Sequence, residues 1–206
     1  MDKKPILIYV GDPMCSWCYG FSPELVKVKE AIKEKANFEL VLGGLRPYNT
    51  QPMVELKPFL TKHWHDVSER SGQVFCYNIL DSTSITYDTE PPSRATVVVR
   101  ALAPDKEFSF YKQSHSLFYE ENKNMHLTES YRDLVESLGI NYDQFKTSYE
   151  SEEMKEKIKE DFLRARSLGV QSFPTLLLHN QHGTQRVAAG YSKAETILSK
   201  IEEQLF

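Results

Sequence analysis

The sequence predicts an α/β fold in which a strand–helix–strand unit (residues 1–50) and a hairpin–helix unit (residues 169–206) flank a helical block, residues 51–168. Two observations predict it. Short apolar runs bounded by Gly, Pro, Asp or Asn open and close the chain, as half-buried or buried strands do. Between them, apolar residues recur at helical spacing.

In order, Ile6-Leu7-Ile8-Tyr9-Val10 reads as a buried strand and Gly11-Asp12-Pro13 turns the chain. Helical spacing follows from Tyr19 to Lys35, with Leu25, Val28 and Ile32 as its stripe and Ser22-Pro23-Glu24 as a start or kink. Phe38 to Leu42 reads as a second strand, ended by Gly43-Gly44. A β–α–β run at this spacing implies parallel strands joined by a right-handed crossover. From Met53 to Leu168 the chain reads as helical throughout. Pro91-Pro92 starts a helix running to about Ala103. Phe108, Tyr111, His115, Phe118 and Tyr119 make a second stripe. Leu127-Thr128-Glu129 opens a third helix, closed by Gly139. Lys155 to Leu168 puts Ile158, Phe162, Ala165 and Leu168 on one face, with Gly169 as a left-handed C-cap and Val170 trailing it. These stripes read as core, and the charged run Ser151 to Asp161 as a solvated face. After Ser172-Phe173-Pro174, the runs Thr175 to His179 and Val187-Ala188-Ala189 flank a Gly183-containing turn, a hairpin, before a last helix from about Lys193 to Leu205.

With 206 residues the chain suits one domain, or one domain carrying an insertion. Hydrophobic residues are 40% and aromatics 12%, ordinary for a globular protein. A net charge of -4 and a pI of about 5.9 argue against nucleic acid as a partner. No apolar run approaches membrane-spanning length, so no membrane association is expected. Met1 to Pro5 leads into five apolar residues before Gly11, too few for a secretory signal, and the expected location is cytoplasmic. A stable structural disulfide is disfavoured there, so a cysteine pair reads as catalytic or metal-binding.

That pair is Cys15-Ser16-Trp17-Cys18, at the passage from the first strand to the first helix. Thiols three residues apart on a helix share a face and can close a small disulfide ring. A helix N-terminus favours thiolate over thiol, and the thiolate is the nucleophile of disulfide exchange. A structural zinc would need four ligands. The third cysteine, Cys76, lies in an apolar stretch and reads as core, and His63 and His65 point to nearly opposite sides of a helix. No metal is therefore expected, and a redox dithiol is the better reading.

The arrangement resembles the thioredoxin fold, and specifically the DsbA-like family, in which a helical domain interrupts the fold. Three stretches carry the resemblance: Asp12 to Phe21, Asp88 to Ala95, and Gly169 to Thr175 with its Phe173-Pro174-Thr175. The likeness is greatest to the cytoplasmic FrnE-like branch, described as predicted disulfide isomerases. It implies that Cys15 attacks a substrate disulfide, Cys18 resolves the mixed disulfide, and Pro174 shapes the groove. Proline tolerates a cis bond and donates no N–H. Beside the dithiol it would leave the backbone of Phe173 free to pair with an extended substrate, whereas a trans proline would merely start an edge strand. The sequence departs from the family in places. Ser16-Trp17 replaces the Pro-His of the strongly oxidising member, which implies a less oxidising couple. Tyr9 stands where many relatives have a buried acid that accepts protons from the second cysteine. Asp12 is the nearest acidic candidate for that role, with a turn-forming aspartate as the alternative. Trp17 would either anchor an apolar substrate or pack under the helical block. Arg94, near a helix N-terminus where the dipole disfavours a cation, suggests anion binding or a place facing the dithiol, with a salt bridge as the alternative.

The expected function is thiol–disulfide oxidoreductase, extending to isomerase. Its partners would be proteins or small thiols bearing thiols or disulfides. It would need no cofactor beyond a Cys15–Cys18 disulfide, with glutathione as a candidate thiol donor. Two other classes stay open. One is a kappa-class glutathione transferase, for which Ser16 could be proposed although it stands beside Cys15 and not in its place. The other is a non-catalytic adaptor that docks through the charged helix Ser151 to Arg166. The residues carry no signal for oligomeric state.

Overall fold

The computed structural model describes residues 4–205. Along the chain these form β1 (Ile6–Gly11), α1 (Ser16–Ile32), β2 (Asn37–Leu42), α2 (Met53–Ser71), α3 (Glu90–Leu102), α4 (Glu107–Tyr119), α5 (Arg132–Ser137), α6 (Tyr142–Glu150), α7 (Glu152–Ser167), β3 (Thr175–Asn180), β4 (Gly183–Ala189) and α8 (Ala194–Leu205). The four strands make one sheet in the order β2-β1-β3-β4. β1 and β2 are parallel, and β3 runs antiparallel to both β1 and β4. This is the α/β architecture expected, with α2 to α7 inserted between β2 and β3.

β1 sits inside the sheet, and its side chains alternate between two buried faces. Leu7 and Tyr9 join α1 (Leu25, Val28, Ile32) and α8 (Ile197, Ile201) in a cluster that continues without a break into the helical block through Trp64, Phe118 and Tyr131. Ile8 and Val10 pack on the opposite face with Val41, Leu177, Val170 and Ala165 of α7. Each such side chain, fully buried, contributes about 1.5–3 kcal/mol.

The middle of the chain is less helical than its spacing suggests. Residues 72–89 and 120–131 are largely irregular, with short 3₁₀ turns at Asn78–Asp81 and Thr128–Tyr131. α6 is not separable by periodicity; Asn141 caps it, its Oδ1 accepting the Gln144 N–H at 2.9 Å. α7 starts earlier than expected, at Glu152, because Ser151 accepts the Met154 N–H. Its end matches the C-cap expected: Gly169 has φ +71°, Val170 N–H reaches Ala165 O at 3.2 Å and Gly169 N–H reaches Arg166 O at 2.9 Å. Leu168 is only half-buried. The charged run is solvated with one exception. Asp161 is buried, takes two bonds from Arg100 (2.7 and 2.8 Å) and accepts the Leu42 N–H at 2.9 Å. Arg100 also donates to Leu40 O at 3.0 Å, so this pair fastens α3 and α7 to β2.

α1 begins at Ser16, three residues before the helical spacing that opens at Tyr19, because Cys15 serves as an extended N-cap (φ −86°, ψ 115°). Pro23 lies inside it and supplies no N–H to the carbonyl of Tyr19, which instead accepts from Gln73 Nε2 at 3.3 Å.

Candidate active site: the Cys15–Cys18 turn

The site is built where β1 hands over to α1. The Cys15 N–H donates to Asp12 O at 3.1 Å, and Asp12 Oδ1 accepts the Met14 N–H at 2.8 Å, closing a tight turn. Asp12 Oδ2 accepts the Leu45 N–H at 2.7 Å, tying the turn to the loop after β2. Cys15 sits at the mouth of α1 and Cys18 in its first turn. Both are free thiols; Cys15 is 5% exposed and Cys18 wholly buried. The Cys15 Sγ lies 3.7 Å from the carbonyl oxygen of Phe173, and the Phe173–Pro174 peptide bond is cis.

The turn's carbonyls are satisfied from the helical block. Pro13 O is 2.9 Å from Nδ1 of His115 on α4. Met14 O accepts from the hydroxyls of Tyr87 and Tyr119, both at 2.6 Å. Below the turn, the hydroxyls of Tyr9 and Tyr111 meet at 3.2 Å. These groups are buried. The α4 stripe is core, as its spacing suggests, but it is also polar at its tips. The signal that could have shown this is the spacing of Tyr111, His115 and Tyr119, which puts three polar tips on one helical face.

Burial governs the electrostatics. Desolvation drives His115 down to about 3, so its ring is neutral and Nδ1–H donates to Pro13 O. Desolvation also raises Asp12 to about 6, against the pull of the Leu45 and Met14 N–H groups. The Cys15 thiol is pushed up, first by its hydrogen bond with Cys18 and then by burial; the Cys18 backbone N–H pulls the other way and loses. In the reduced protein the hydrogen bond with Cys18 and burial outweigh the pull of the helix start, which acts through the Cys18 N–H.

The other residues singled out divide clearly. Phe173 is half-buried, its ring against Gly43. Trp17 is half-buried and packs edge-on against His63 of α2 (5.9 Å between centroids) and near Tyr191 (6.3 Å), so it touches the helical block at the rim of the site. Arg94 is held elsewhere. Its guanidinium pairs with Glu90 (2.8 Å), donates to Tyr149 O (2.7 Å) and stacks on the Tyr149 ring. The cation is tolerated near the start of α3 because Glu90 at that start neutralises it; the salt-bridge alternative is the arrangement found, and it is largely buried. Ser16 is buried. Cys76 is half-exposed, not core, its backbone N–H bound to Tyr119 O at 2.7 Å. Among the described residues, the one group of three potential metal ligands is His65, Asp66 and Glu69 on α2, none of them a cysteine. No described helix is long and apolar enough to cross a membrane.

The profile of the thioredoxin family matches residues 8–197. No curated protein matches the chain. Among solved structures, the chain is similar to a protein disulfide isomerase candidate from Nitrosomonas europaea, with 29% identity, a TM-score of 0.88 and 98% of each chain covered. It is also similar to the cytosolic disulfide reductase DsbM from Pseudomonas aeruginosa, with 25% identity, a TM-score of 0.80, and 97% of this chain and 98% of that one covered; DsbM has also been solved with glutathione. The oxidoreductase DsbA from Xylella fastidiosa, 12% identical, shares the fold at a TM-score of 0.64 over 98% of this chain and 84% of its own. With the family profile spanning nearly the whole chain and α2 to α7 standing between β2 and β3, the chain belongs to the thioredoxin family, among its DsbA-like members.

Proposed function

We propose that the protein is a thiol–disulfide oxidoreductase that works through Cys15 and Cys18 in a reducing, cytosolic setting. One observation carries the reading. The more accessible thiol, Cys15, stands at the start of α1 with its sulfur 3.7 Å from the Phe173 carbonyl, where an extended substrate strand would lie. Family membership supports disulfide oxidoreduction in general, and similarity to the cytosolic disulfide reductase of Pseudomonas aeruginosa supports the reducing direction and the compartment.

In the proposed cycle the Cys15 thiolate attacks one sulfur of a substrate disulfide. That S–S bond breaks, the other substrate sulfur leaves and takes a proton, and a mixed disulfide joins Cys15 to the substrate. Cys18 then attacks Cys15 Sγ, releasing the second substrate thiol and closing Cys15–Cys18. Two molecules of a thiol donor, for which glutathione is our candidate, reduce that disulfide back to Cys15 and Cys18 thiols and leave as the donor's own disulfide. If Cys18 is slow, a second thiolate of the same substrate attacks the substrate sulfur of the mixed disulfide, a new substrate disulfide forms and Cys15 leaves as the thiolate, which is isomerisation.

Among the described residues neither the Ser16 hydroxyl nor the Trp17 indole N–H bonds to Cys15 Sγ, whose one hydrogen-bond partner outside the dithiol is Phe173 O. A Cys15 thiol pushed up by its hydrogen bond with Cys18 and by burial fits a couple that is not strongly oxidising. Insulin reduction with glutathione tests the cycle: Cys15→Ser falls to background, and a variant as active as the parent sinks the reading. The equilibrium potential of the pair in glutathione buffer tests the direction. A value near thioredoxin's, about −270 mV, is expected; one near about −120 mV would mean an oxidant.

A further inference from the structure

The loop that follows β2 touches three segments around Cys15. Gly43 lies against the Phe173 ring, where a Cβ would stand 2.0 Å from it. The Leu45 N–H donates to Asp12 Oδ2 at 2.7 Å. The Arg46 guanidinium stands over the Tyr87 ring, 5.5 Å from its centroid. The hydroxyl of that ring donates to Met14 O at 2.6 Å, one residue before Cys15. One aromatic ring therefore separates the guanidinium from the backbone of the nucleophile. The backbone of Arg46 is clamped as well: its N–H donates to Thr89 Oγ1 at 3.0 Å and its carbonyl accepts the Thr89 N–H at 3.2 Å.

Among the described residues no carboxylate lies within salt-bridge distance of Arg46, and no acceptor takes its guanidinium N–H groups. Arg94, Arg100, Arg132 and Arg164 each hold a carboxylate. Acids stand close to Arg46 along the fold but are spent on the backbone. Asp12 accepts the Met14 and Leu45 N–H groups, and Asp88 Oδ1 accepts those of Tyr48 and Glu90 at 2.7 and 2.9 Å. The result is a half-buried planar fork of five donors, held on an aromatic face and free to bind. Such a fork matches a carboxylate with two parallel hydrogen bonds.

We infer that Arg46 binds a carboxylate of the substrate while the substrate's sulfur reacts at Cys15, so that the site favours disulfides and thiols bearing an acid beside the reacting sulfur. The contact of Gly43 with Phe173 makes the Arg46 loop continuous with the segment proposed to pair with the substrate backbone. An acid near the reacting cysteine is thereby brought to the arginine. Arg46 orients the substrate and takes no part in breaking bonds. The inference rests on exchange through Cys15 and Cys18.

Two aromatic disulfides test it on the reduced full chain in a Cys76→Ser background. 5,5′-dithiobis(2-nitrobenzoate) carries a carboxylate on each ring; 4,4′-dithiodipyridine is uncharged near neutral pH. In the first phase the Cys15 thiolate attacks one reagent sulfur, the reagent's S–S bond breaks and one aromatic thiolate leaves. In the second, Cys18 attacks Cys15 Sγ, the second aromatic thiolate leaves, and the Cys15–Cys18 disulfide closes. A change in the reactivity of Cys15 itself acts on both reagents and cancels in the ratio of their first-phase rates. Arg46→Gln is expected to lower the ratio of the acidic to the uncharged reagent about fivefold, the value of a good exposed ion pair. The difference should shrink as salt rises. Arg46→Lys keeps the charge and loses the fork, so it should lose about twofold; it carries the test if Arg46→Gln fails to fold.

An unchanged ratio, or an equal fall with both reagents, overturns the inference. So does an equal fall in the ratio for Arg132→Gln, which removes a cation stacked on Tyr142 in the helical block and would mean that the ratio reports net charge. Two further disulfides distinguish the source of the acid. Glutathione disulfide is compared with the disulfide of glutathione ethyl ester, and that of acetyl-Cys-Glu-amide with that of acetyl-Cys-Gln-amide. Slowing of an acidic member by Arg46→Gln, relative to its less charged counterpart, assigns a small acidic thiol in the first pair and an acidic polypeptide neighbour in the second. Slowing in neither pair overturns the inference. A first phase that survives Cys15→Ser overturns the exchange cycle itself, which is a different failure.

Discussion

On its helical side the Asp12–Cys15 turn is held by three buried donors: His115 on Pro13 O, and Tyr87 and Tyr119 on Met14 O, at 2.6 to 2.9 Å. Toward the Phe173–Pro174 segment the contact is one sulfur–carbonyl approach of 3.7 Å to Phe173, whose ring is half-buried over Gly43. The difference follows from where each backbone lies. The carbonyls of Pro13 and Met14 are covered by the helical block and must find partners there, because a buried orphan carbonyl is expensive. The segment before Pro174 borders the opening, so its polar groups can be left for an incoming chain. The helical block therefore fixes the backbone of Cys15, and under the proposed function the strand side is where a substrate would be received.

The sharpest way to break this contrast is to strip the helical side. Tyr87→Phe with Tyr119→Phe leaves Met14 O buried without a donor. Each single change keeps one donor and is expected to cost about 1 kcal/mol, whereas the double costs about 3 kcal/mol. The double thus exceeds the sum of the singles. Urea unfolding of the four proteins measures it. Strict additivity with a small total would show that the turn is held by something other than these hydroxyls.

These donors also mark the limit of what is legible in the sequence. The strands, the dithiol at the mouth of α1 and the C-cap at Gly169 rest on local signals: apolar runs, turn residues and a glycine at φ +71°. The partners of the turn do not. Tyr87 lies in an irregular stretch whose spacing suggests helix, and its distance from Met14 along the chain is 73 residues. Asp161 looks like part of a solvated run because periodicity sees its charged neighbours and not Arg100, which reaches it from α3 across 61 residues. Arg94 does stand out as misplaced on the dipole, but its partner Glu90 one turn earlier explains it locally. Periodicity assigns a side chain to a face; it does not say which buried polar atom waits on the other side.

Two titrating groups at the same turn sharpen the contrast further, since their signs oppose. His115 titrates near 3 in the folded protein against an ordinary 6.5. As pH falls below 6.5 the unfolded chain takes up a proton that the native state refuses, so stability is lost by up to about 1.4 kcal/mol per pH unit. Asp12 titrates near 6 against an ordinary 3.8. As pH falls from 6 to 3.8 the native state takes up the proton first, so stability rises with a similar slope. In the parent these two contributions offset one another over that window. Asp12→Asn leaves the His115 slope alone, and stability should fall by roughly 2 kcal/mol between pH 6 and pH 4 relative to the parent's trend. His115→Gln leaves the Asp12 slope alone and should show a rise of like size. Urea midpoints at three pH values decide it, and parallel profiles for both variants would mean that neither group is buried in solution.

The smallest change tests the strand side. Gly43→Ala puts a Cβ 2.0 Å from the Phe173 ring, which has to move. The atoms struck are at the tip of a half-buried side chain, so the fold should lose only about 1 kcal/mol. What changes is the surface offered to a polypeptide next to Cys15. The expected outcome is a fall of about tenfold in kcat/KM for insulin reduction, because a misplaced docking strand costs orientation. The first-phase rate with 5,5′-dithiobis(2-nitrobenzoate), a small reagent that needs no strand, should stay at the parent value. If both rates fall together, the strand side helps to place Cys15 as well as to receive substrate, and the division of labour between the two sides fails. If insulin alone is affected, the donors that orient the nucleophile and the backbone that receives the substrate are separable, as their opposite degrees of burial suggest.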